Sequence, residues 1–303
     1  MSRNPFLKLQ KEKPIVVGHR GVPAVHQENT LAGFRRAVSL GIPAVELDVR
    51  LSSDGYALVC HDEDLSRLTG ERGRVSRMTW DQISRLRIRK RLPMGIDDMG
   101  SDVIIDYQEE ERIPLLAEVL AELGDKLLFN IELKFDTPSW STEVATVAAG
   151  EIAKYQLHAR SIVTSFDLRK LRAARSRDPK QPTGFCFDDG MLSVFGALQG
   201  WLGQRNTNAL LRRILRSHWS RFFAKTMVVG AEHTLVSASE VQTMHGHGLA
   251  IGTYTLFPVG STTGKQISPA ASDPAEVQRL VDLGIDWIET DDPERLQELV
   301  YAR

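Results

Sequence analysis

Short apolar runs recur along the 303-residue chain, most of them followed by a stretch with helical spacing. The runs are IVVG (15–18), AVELDV (44–49), LLFNIEL (127–133), SIVTS (161–165), TGFCF (183–187), MVVG (227–230), LAIGTYT (249–255) and IDWIET (285–290). Apolar runs of this length, bounded by turn residues, read as buried strands. Between them lie segments such as TLAGFRRAVSLG, IPLLAEVLAELG, DLRKLRAARS and DPAEVQRLVDLG. Their apolar residues return every three or four positions, and several end in Gly, a helix stop signal. Eight βα units of this kind predict an α/β fold of the (β/α)8 TIM-barrel class, one domain over 1–303.

Three stretches depart from that rhythm. ALVC (57–60) follows AVELDV after only seven residues, and SSDG lies between them. A parallel crossover needs a dozen residues or more, so ALVC is expected to fold back as a hairpin beside the second strand. The connection 62–113 is long enough to carry a small inserted subdomain after the second strand. The connection 188–226 is expected to form a helical insertion before the sixth.

Composition narrows the function classes. The chain is 42% hydrophobic and 25% charged with net charge −1, so no global field favours nucleic acid. Cys60 and Cys186 both sit in apolar runs and read as buried thiols of a reducing compartment. The first residues, MSRNPFLKLQKEKP, contain no apolar core of signal-peptide length, and no apolar run reaches about 18 residues. A cytoplasmic location is the resulting expectation.

Charged residues at the ends of apolar strands carry the candidate chemistry. In VVGHRG (16–21), His19 and Arg20 stand between two glycines at a strand end. Glu46 and Asp48 are two apart on one strand and so point to the same side, as do Glu132 and Lys134. Buried carboxylates are costly unless neutralised. Three of them converging at the C-terminal ends of barrel strands suit one hard divalent cation, Mg2+ or Ca2+. A salt-bridge network with Arg20 and Lys134 is the alternative. His61 ends the hairpin strand, and with His19 forms a pair able to divide acid and base work near neutral pH. His26, His158, His218, His233, His245 and His247 lack this context and read as structural, the last pair near a helix end that they can cap.

HRG, QENTLAGF, ELDVRLSSDGYALVCHD, NIELK, SFD and GIDWIETDDP together resemble the glycerophosphodiester phosphodiesterases. The blocks run from the first strand to the eighth. The resemblance implies a TIM barrel with one divalent metal that hydrolyses glycerophosphodiesters to sn-glycerol 3-phosphate and an alcohol. It implies an acid/base pair at His19 and His61, phosphate-contacting cations at Arg20 and Lys134, and metal ligands at Glu46, Asp48 and Glu132. It also places the family's inserted subdomain at 62–113. In QENT, Thr30 is expected to cap the first helix and Asn29 to brace the loop, while Glu28 is a candidate for the substrate pocket. Phe166 of SFD and Tyr254 and Phe257 of the seventh strand join that pocket. There the family often has Trp-Thr-Val-Asn, and Tyr254-Thr255-Leu256-Phe257 stands here, so the departure falls on the site of the alcohol. Two rival readings are a lysophospholipase D, which needs an apolar channel, and a non-catalytic phosphate-binding barrel.

The insertions lie beyond the resemblance. From Gly190 to Ala231 there is no acidic residue, whereas Arg205, Arg212, Arg213, Arg216, Arg221 and Lys225 are present. Leu211, Leu215, Trp219 and Phe222 return at near-helical spacing. The spacing predicts a basic amphipathic helix over 201–223, its apolar side on protein near the active-site mouth. Docking on an anionic membrane is a second reading. The acids of 97–111 facing the basic stretch, within the mouth or across a dimer, are a third. Nothing in the sequence sets an oligomeric state.

Overall fold

The computed structural model describes residues 4–9, 12–134, 141–188, 207–217, 219–264 and 266–301. Its strands are β1 (Ile15–Gly18), β2 (Ala44–Leu51), β3 (Ala57–Val59), β4 (Arg91–Ile96), β5 (Asp102–Asp106), β6 (Leu128–Leu133), β7 (Ser161–Ser165), β8 (Thr183–Phe187), β9 (Val228–Glu232), β10 (Ala250–Leu256) and β11 (Trp287–Thr290). Eight of them pair in parallel in the order β1-β11-β10-β9-β8-β7-β6-β2, and β2 returns to β1 through Val17 opposite Ala44. This is the closed TIM barrel that the alternating runs predict. β3 pairs antiparallel with β2, Val49 opposite Val59, as the short turn requires.

Helices α1 (Leu31–Ser39), α4 (Leu116–Leu123), α5 (Glu143–Lys154), α6 (Leu168–Arg177), α9 (Ala238–Gly246), α10 (Pro274–Asp282) and α11 (Pro293–Tyr301) surround the barrel. Thr30 caps α1 by accepting from the Gly33 amide, as expected from QENT. The connection 62–113 carries α2 (Ser66–Thr69), α3 (Trp80–Ser84) and the β4–β5 hairpin. It encloses its own apolar cluster of Leu65, Leu68, Val75, Ile83, Ile88 and Leu92, packed against Leu58 and Cys60.

Between β8 and β9 the described residues form α7 (207–216) and α8 (Trp219–Ala224). Residues 201–206 lie outside the described set. Leu211 and Leu215 are buried and Trp219 packs on the core, whereas Phe222 is exposed, so the apolar side lies on protein only in part. The expected place at the mouth holds only for the start of the pair, where Arg212 meets Thr234 beside the rim residue His233. Arg212 donates to the Thr234 carbonyl, Arg216 to Ser239, and Arg221 to the His247 carbonyl at the C-terminal end of α9. This pair therefore runs down the outer wall, in the slot that a βα unit leaves for its helix. The apposition of acidic and basic stretches within the mouth is corrected too, while the dimer alternative is not addressed by a single chain. Arg91 pairs with Asp106 and Lys90 with Glu109 inside the insertion, and among the described residues no ion pair joins it to 207–224.

Strand alternation sets the barrel interior. The lower layer is apolar: Ile15, Val17, Ala44, Leu128, Ile162, Val228, Ala250 and Trp287 cluster with Phe6. Phe6 lies in a short 3-10 turn at Pro5–Leu7, capped by Asn4, and meets the Trp287 ring edge-on at 5.7 Å. Gly252 leaves room for that indole, since a Cβ there would overlap it. Two residues up β1, β2, β6, β7 and β11, the positions become polar: His19, Glu46, Asn130, Thr164 and Glu289. Among the described residues, no helix is long and apolar enough to cross a membrane.

Candidate active site

At the C-terminal end of the barrel a cavity of about 320 Å³ opens over His19, Arg20, Glu28, Asn130, Glu132, Lys134, Phe166, Glu232, Tyr254, Glu289 and Asp291. The loop Pro258–Thr263 and Met94 of the insertion form part of its rim. Ile96 and Ser261 exchange backbone hydrogen bonds that tie that rim together.

The three carboxylates singled out in the strands do converge. Glu46 and Asp48 are each 1% exposed, and with Glu132 they offer oxygens that all lie within 4.8 Å of one another. Register explains the meeting, because Glu46 stands opposite Asn130 and Asp48 opposite Glu132 on neighbouring strands. Asn29 fixes Asp48 from both sides, donating to Oδ2 at 2.7 Å and accepting from the Asp48 amide at 3.1 Å. This is the bracing role expected for Asn29. Glu46 Oε2 accepts from the Arg20 amide at 3.0 Å, whereas its Oε1 is buried with no hydrogen-bond partner. A buried orphan carboxylate oxygen in an all-oxygen donor set fits a hard divalent cation.

The cations are interleaved with these acids. Lys134 Nζ is 2.7 Å from Glu132 and 3.0 Å from Asp48, and Arg20 Nε approaches Asp48 at 3.2 Å. Burial opposes ionisation of Asp48, but Lys134 and Arg20 outweigh it and hold its pKa well below the usual carboxylate range. Glu46 is pushed the other way, by burial first and then by Asp48, Glu289 and Glu132. Against Arg20 and Lys134 stand the carboxylates Glu46, Asp48, Glu132 and Glu289, and burial with mutual repulsion favours a proton on Glu46 and Glu289 until a cation arrives.

Both histidines are held by a neighbouring carboxylate. His19 Nδ1 lies 2.6 Å from Asp291 Oδ1, and its Nε2 is 3.9 Å from Glu46. His61 Nδ1 lies 2.8 Å from Asp62 Oδ1. With Nδ1–H donated to the carboxylate, each neutral ring keeps Nε2 as its free acceptor. Burial, then Arg20 and Lys134, push His61 down to about 4, with Asp48 and Asp62 opposing.

Glu28 is buried and bridges two guanidinium groups, Arg20 at 3.1 Å and Arg67 at 2.8 Å. Phe166 and Tyr254 line the cavity as an edge-on pair 6.4 Å apart, and the Tyr254 hydroxyl donates to the Phe187 carbonyl. Phe257 does not join them. It is buried in the main core with the Arg295 guanidinium 4.1 Å from its ring centre, and its backbone lies in the left-handed region at φ 49°. The turn at Phe257 carries its side chain away from the mouth, which corrects its place in the alcohol pocket.

Several residues here had no assigned role in the sequence reading. Asp62 and Asp291 orient the histidines, and Arg67 reaches Asp62 and Glu28. Glu289 is a further buried carboxylate, accepting from Asn130 at 2.7 Å and from the Trp287 indole at 3.2 Å. Burial raises its pKa to about 7, against His19 and these hydrogen bonds. The signal for Glu289 and Asp291 was available, since Trp287, Glu289 and Asp291 share one face of β11 and its continuation. Outside the cavity, His158 pairs with Asp178 and His245 with Asp286, as structural histidines do. His233 lines the rim but is held by Glu276.

A parallel barrel with paired histidines, phosphate-sized cations and clustered acids at its C-terminal mouth defines a hydrolase of phosphodiesters. The comparisons agree. Residues 19–295 match the model of the glycerophosphoryl diester phosphodiesterase family, and the chain belongs to that family. A glycerophosphodiester phosphodiesterase of Caldanaerobacter subterraneus subsp. tengcongensis is 34% identical over 185 residues, covering 59% of this chain and 69% of the relative. One of Bacillus subtilis is 24% identical, covering 94% and 86%. Among solved structures, a phosphodiesterase of Oleispira antarctica in complex with the product sn-glycerol-3-phosphate superposes with a TM-score of 0.66 at 21% identity, over 95% of this chain and 97% of that one. The glycerophosphodiester phosphodiesterase of Agrobacterium tumefaciens gives 0.66 at 20% identity, over 96% and 100%. At these identities the structural likeness speaks for the fold.

Proposed function

We propose that this chain hydrolyses glycerophosphodiesters to sn-glycerol 3-phosphate and an alcohol, with His19 and His61 as the acid/base pair. The observation that carries this reading is one charged cluster: His19, Arg20, Lys134 and Glu132 line the cavity, while the buried Glu46, with its orphan oxygen, and His61, close to Arg20, Lys134 and Asp48, stand behind that lining. Glu46, Asp48 and Glu132 would hold one divalent cation, Mg2+ or Ca2+. That ion, when bound, neutralises charge developing on the phosphoryl oxygens. Arg20 and Lys134 contact the remaining oxygens and fix the phosphate between the imidazoles. One histidine Nε2 takes the proton of the nucleophile, which is water or the substrate's own glycerol hydroxyl. The other gives a proton to the leaving alcohol; on the hydroxyl route this yields a cyclic phosphate, which water then opens to sn-glycerol 3-phosphate. Asp62 and Asp291 fix both rings through Nδ1–H, so Nε2 of the neutral base can accept a proton and Nε2–H of the protonated acid can give one.

A lysophospholipase D would need an apolar channel for the acyl chain. The far wall of this cavity carries Asp188 and Glu232 beside Phe166 and Tyr254, which favours a short polar diester. The presence of both histidines and all three acids weighs against a non-catalytic binder. The test is release of choline from glycerophosphocholine and from a lysophospholipid, each with and without EDTA. Chelator-sensitive release from the first substrate alone supports the proposal.

Two buried free cysteines support a reducing, cytoplasmic setting. Peripheral contact with an anionic membrane has its own support. Phe222 and Phe223 are 75% and 61% exposed, with Arg221 and Lys225 beside them in sequence. Sedimentation with anionic vesicles, compared with Phe222→Ser/Phe223→Ser, tests that contact.

A further inference from the structure

Arg67 lies in α2, inside the inserted segment, away from every barrel strand. Its guanidinium is shared among four acceptor atoms on three residues. Nε donates to Asp62 Oδ2 at 2.6 Å, Nη2 to Glu28 Oε1 at 2.8 Å, and Nη1 to Glu28 Oε2 at 3.0 Å and the Pro93 carbonyl at 3.2 Å. The other oxygen of Asp62 holds His61 Nδ1 at 2.8 Å. The same Oε1 of Glu28 accepts from Arg20 Nη1 at 3.1 Å. A continuous chain of hydrogen bonds therefore runs His61–Asp62–Arg67–Glu28–Arg20.

The two carboxylates in this chain cannot do their work alone. Glu28 is 1% exposed, and a buried carboxylate facing one guanidinium keeps oxygens to satisfy. Arg67 supplies the fork that saturates it bidentately. Despite burial, hydrogen bonds from His61 and Arg67 hold Asp62 ionised. An ionised Asp62 fixes the ring of His61, and a saturated Glu28 fixes the plane of Arg20. Both consequences pass through one side chain.

We infer that Arg67 is a positioning residue, setting His61 through Asp62 and Arg20 through Glu28. On this view the insertion is part of the catalytic apparatus and not only a wall of the cavity. The inference rests on the proposed roles of His61 and Arg20. A misplaced catalytic group loses roughly 10²-fold in rate, and Arg67→Gln is expected to lower kcat on glycerophosphocholine by about that factor. Arg67→Lys should recover less than a tenth of the loss, because one ammonium does not span Asp62 and both oxygens of Glu28.

The deciding experiment is a double-mutant cycle in kcat with His61→Ala, with melting temperatures of all variants recorded alongside. The expected result is that Arg67→Gln loses its roughly 10²-fold effect in the His61→Ala background and costs under about tenfold there. An equal factor in both backgrounds, or an Arg67→Gln variant within threefold of the parent, overturns the inference. If Arg67→Gln melts so far below the parent that folding explains the loss, Asp62→Asn, which keeps the shape of that link, replaces it in the cycle under the same criteria. Unchanged turnover in His61→Ala would instead overturn the catalytic reading on which the inference stands, and the two failures are thereby distinguished.

Discussion

The lower and upper halves of the barrel interior are built by the same strands and differ in one respect only. Along β2 the inward positions read Ala44, Glu46, Asp48; along β6, Leu128, Asn130, Glu132; along β11 and its continuation, Trp287, Glu289, Asp291. The backbone geometry is continuous from one layer to the next, while side-chain chemistry changes completely. Below, Phe6 and Trp287 close an apolar plug. Above, buried carboxylates and cations crowd one site whose charges need one another. Charges at such depth weaken a fold unless they are paired. Their concentration in one half marks where the molecule trades stability for chemistry.

The largest effects should separate the two halves cleanly. His19→Ala or His61→Ala should lower turnover by roughly 10²–10⁴-fold, and the double variant should lose little more than either alone. Phe6→Ala should leave kcat unchanged and lower stability by about 3–5 kcal/mol in urea unfolding. A large kinetic loss in Phe6→Ala would dissolve the division between halves.

The next effect concerns pH. In the folded chain His61 is neutral down to about 4, below its ordinary value, so the unfolded chain binds the extra proton between those limits. Stability therefore rises with pH from about 4 to about 6.5 and is flat in this respect above. Lys134→Met removes one of the cations that depress His61, and should move its titration upward in histidine NMR of the chelated protein. A shift downward, or none, would contradict the assigned electrostatics.

Glu289 gives a smaller effect of opposite sign. Its folded pKa of about 7 lies above the ordinary carboxylate value, so its contribution is complete below that ordinary value and is lost as pH rises through 7. Glu289→Gln keeps the acceptor for Asn130 and Trp287 without the charge. In EDTA its melting temperature should match the parent near pH 4 and exceed it above pH 7. A gap that stays constant with pH would remove the charge as the cause.

Much of this was legible in the sequence, for identifiable reasons. Buried strands alternate, so acids in AVELDV and FNIELK announce themselves against apolar neighbours. SSDG is too short for a crossover, so the hairpin of β3 followed. Arg67 was not legible, because its partner Glu28 is 39 positions away and no local pattern links them. Phe257 was placed in the pocket by its match to the last position of the family's Trp-Thr-Val-Asn block, but β10 ends at Leu256 and the left-handed residue after it turns aside. The amphipathic pattern of 201–223 was real over its described part. Periodicity states that a face is buried and not against which surface, and Arg216 and Arg221 show that surface to be the outer wall.

The central claim is that the upper layer, with a cation on Glu46, Asp48 and Glu132, turns the barrel into a diesterase. It is tested most directly by pairing calorimetric Mg2+ or Ca2+ titration with 31P NMR of glycerophosphocholine turnover, for the parent and for Glu46→Gln. The account predicts one bound ion and accumulation of sn-glycerol 3-phosphate for the parent, and loss of both in a Glu46→Gln variant that still melts cooperatively. Undiminished product formation by Glu46→Gln, or by the parent in excess EDTA, would contradict it.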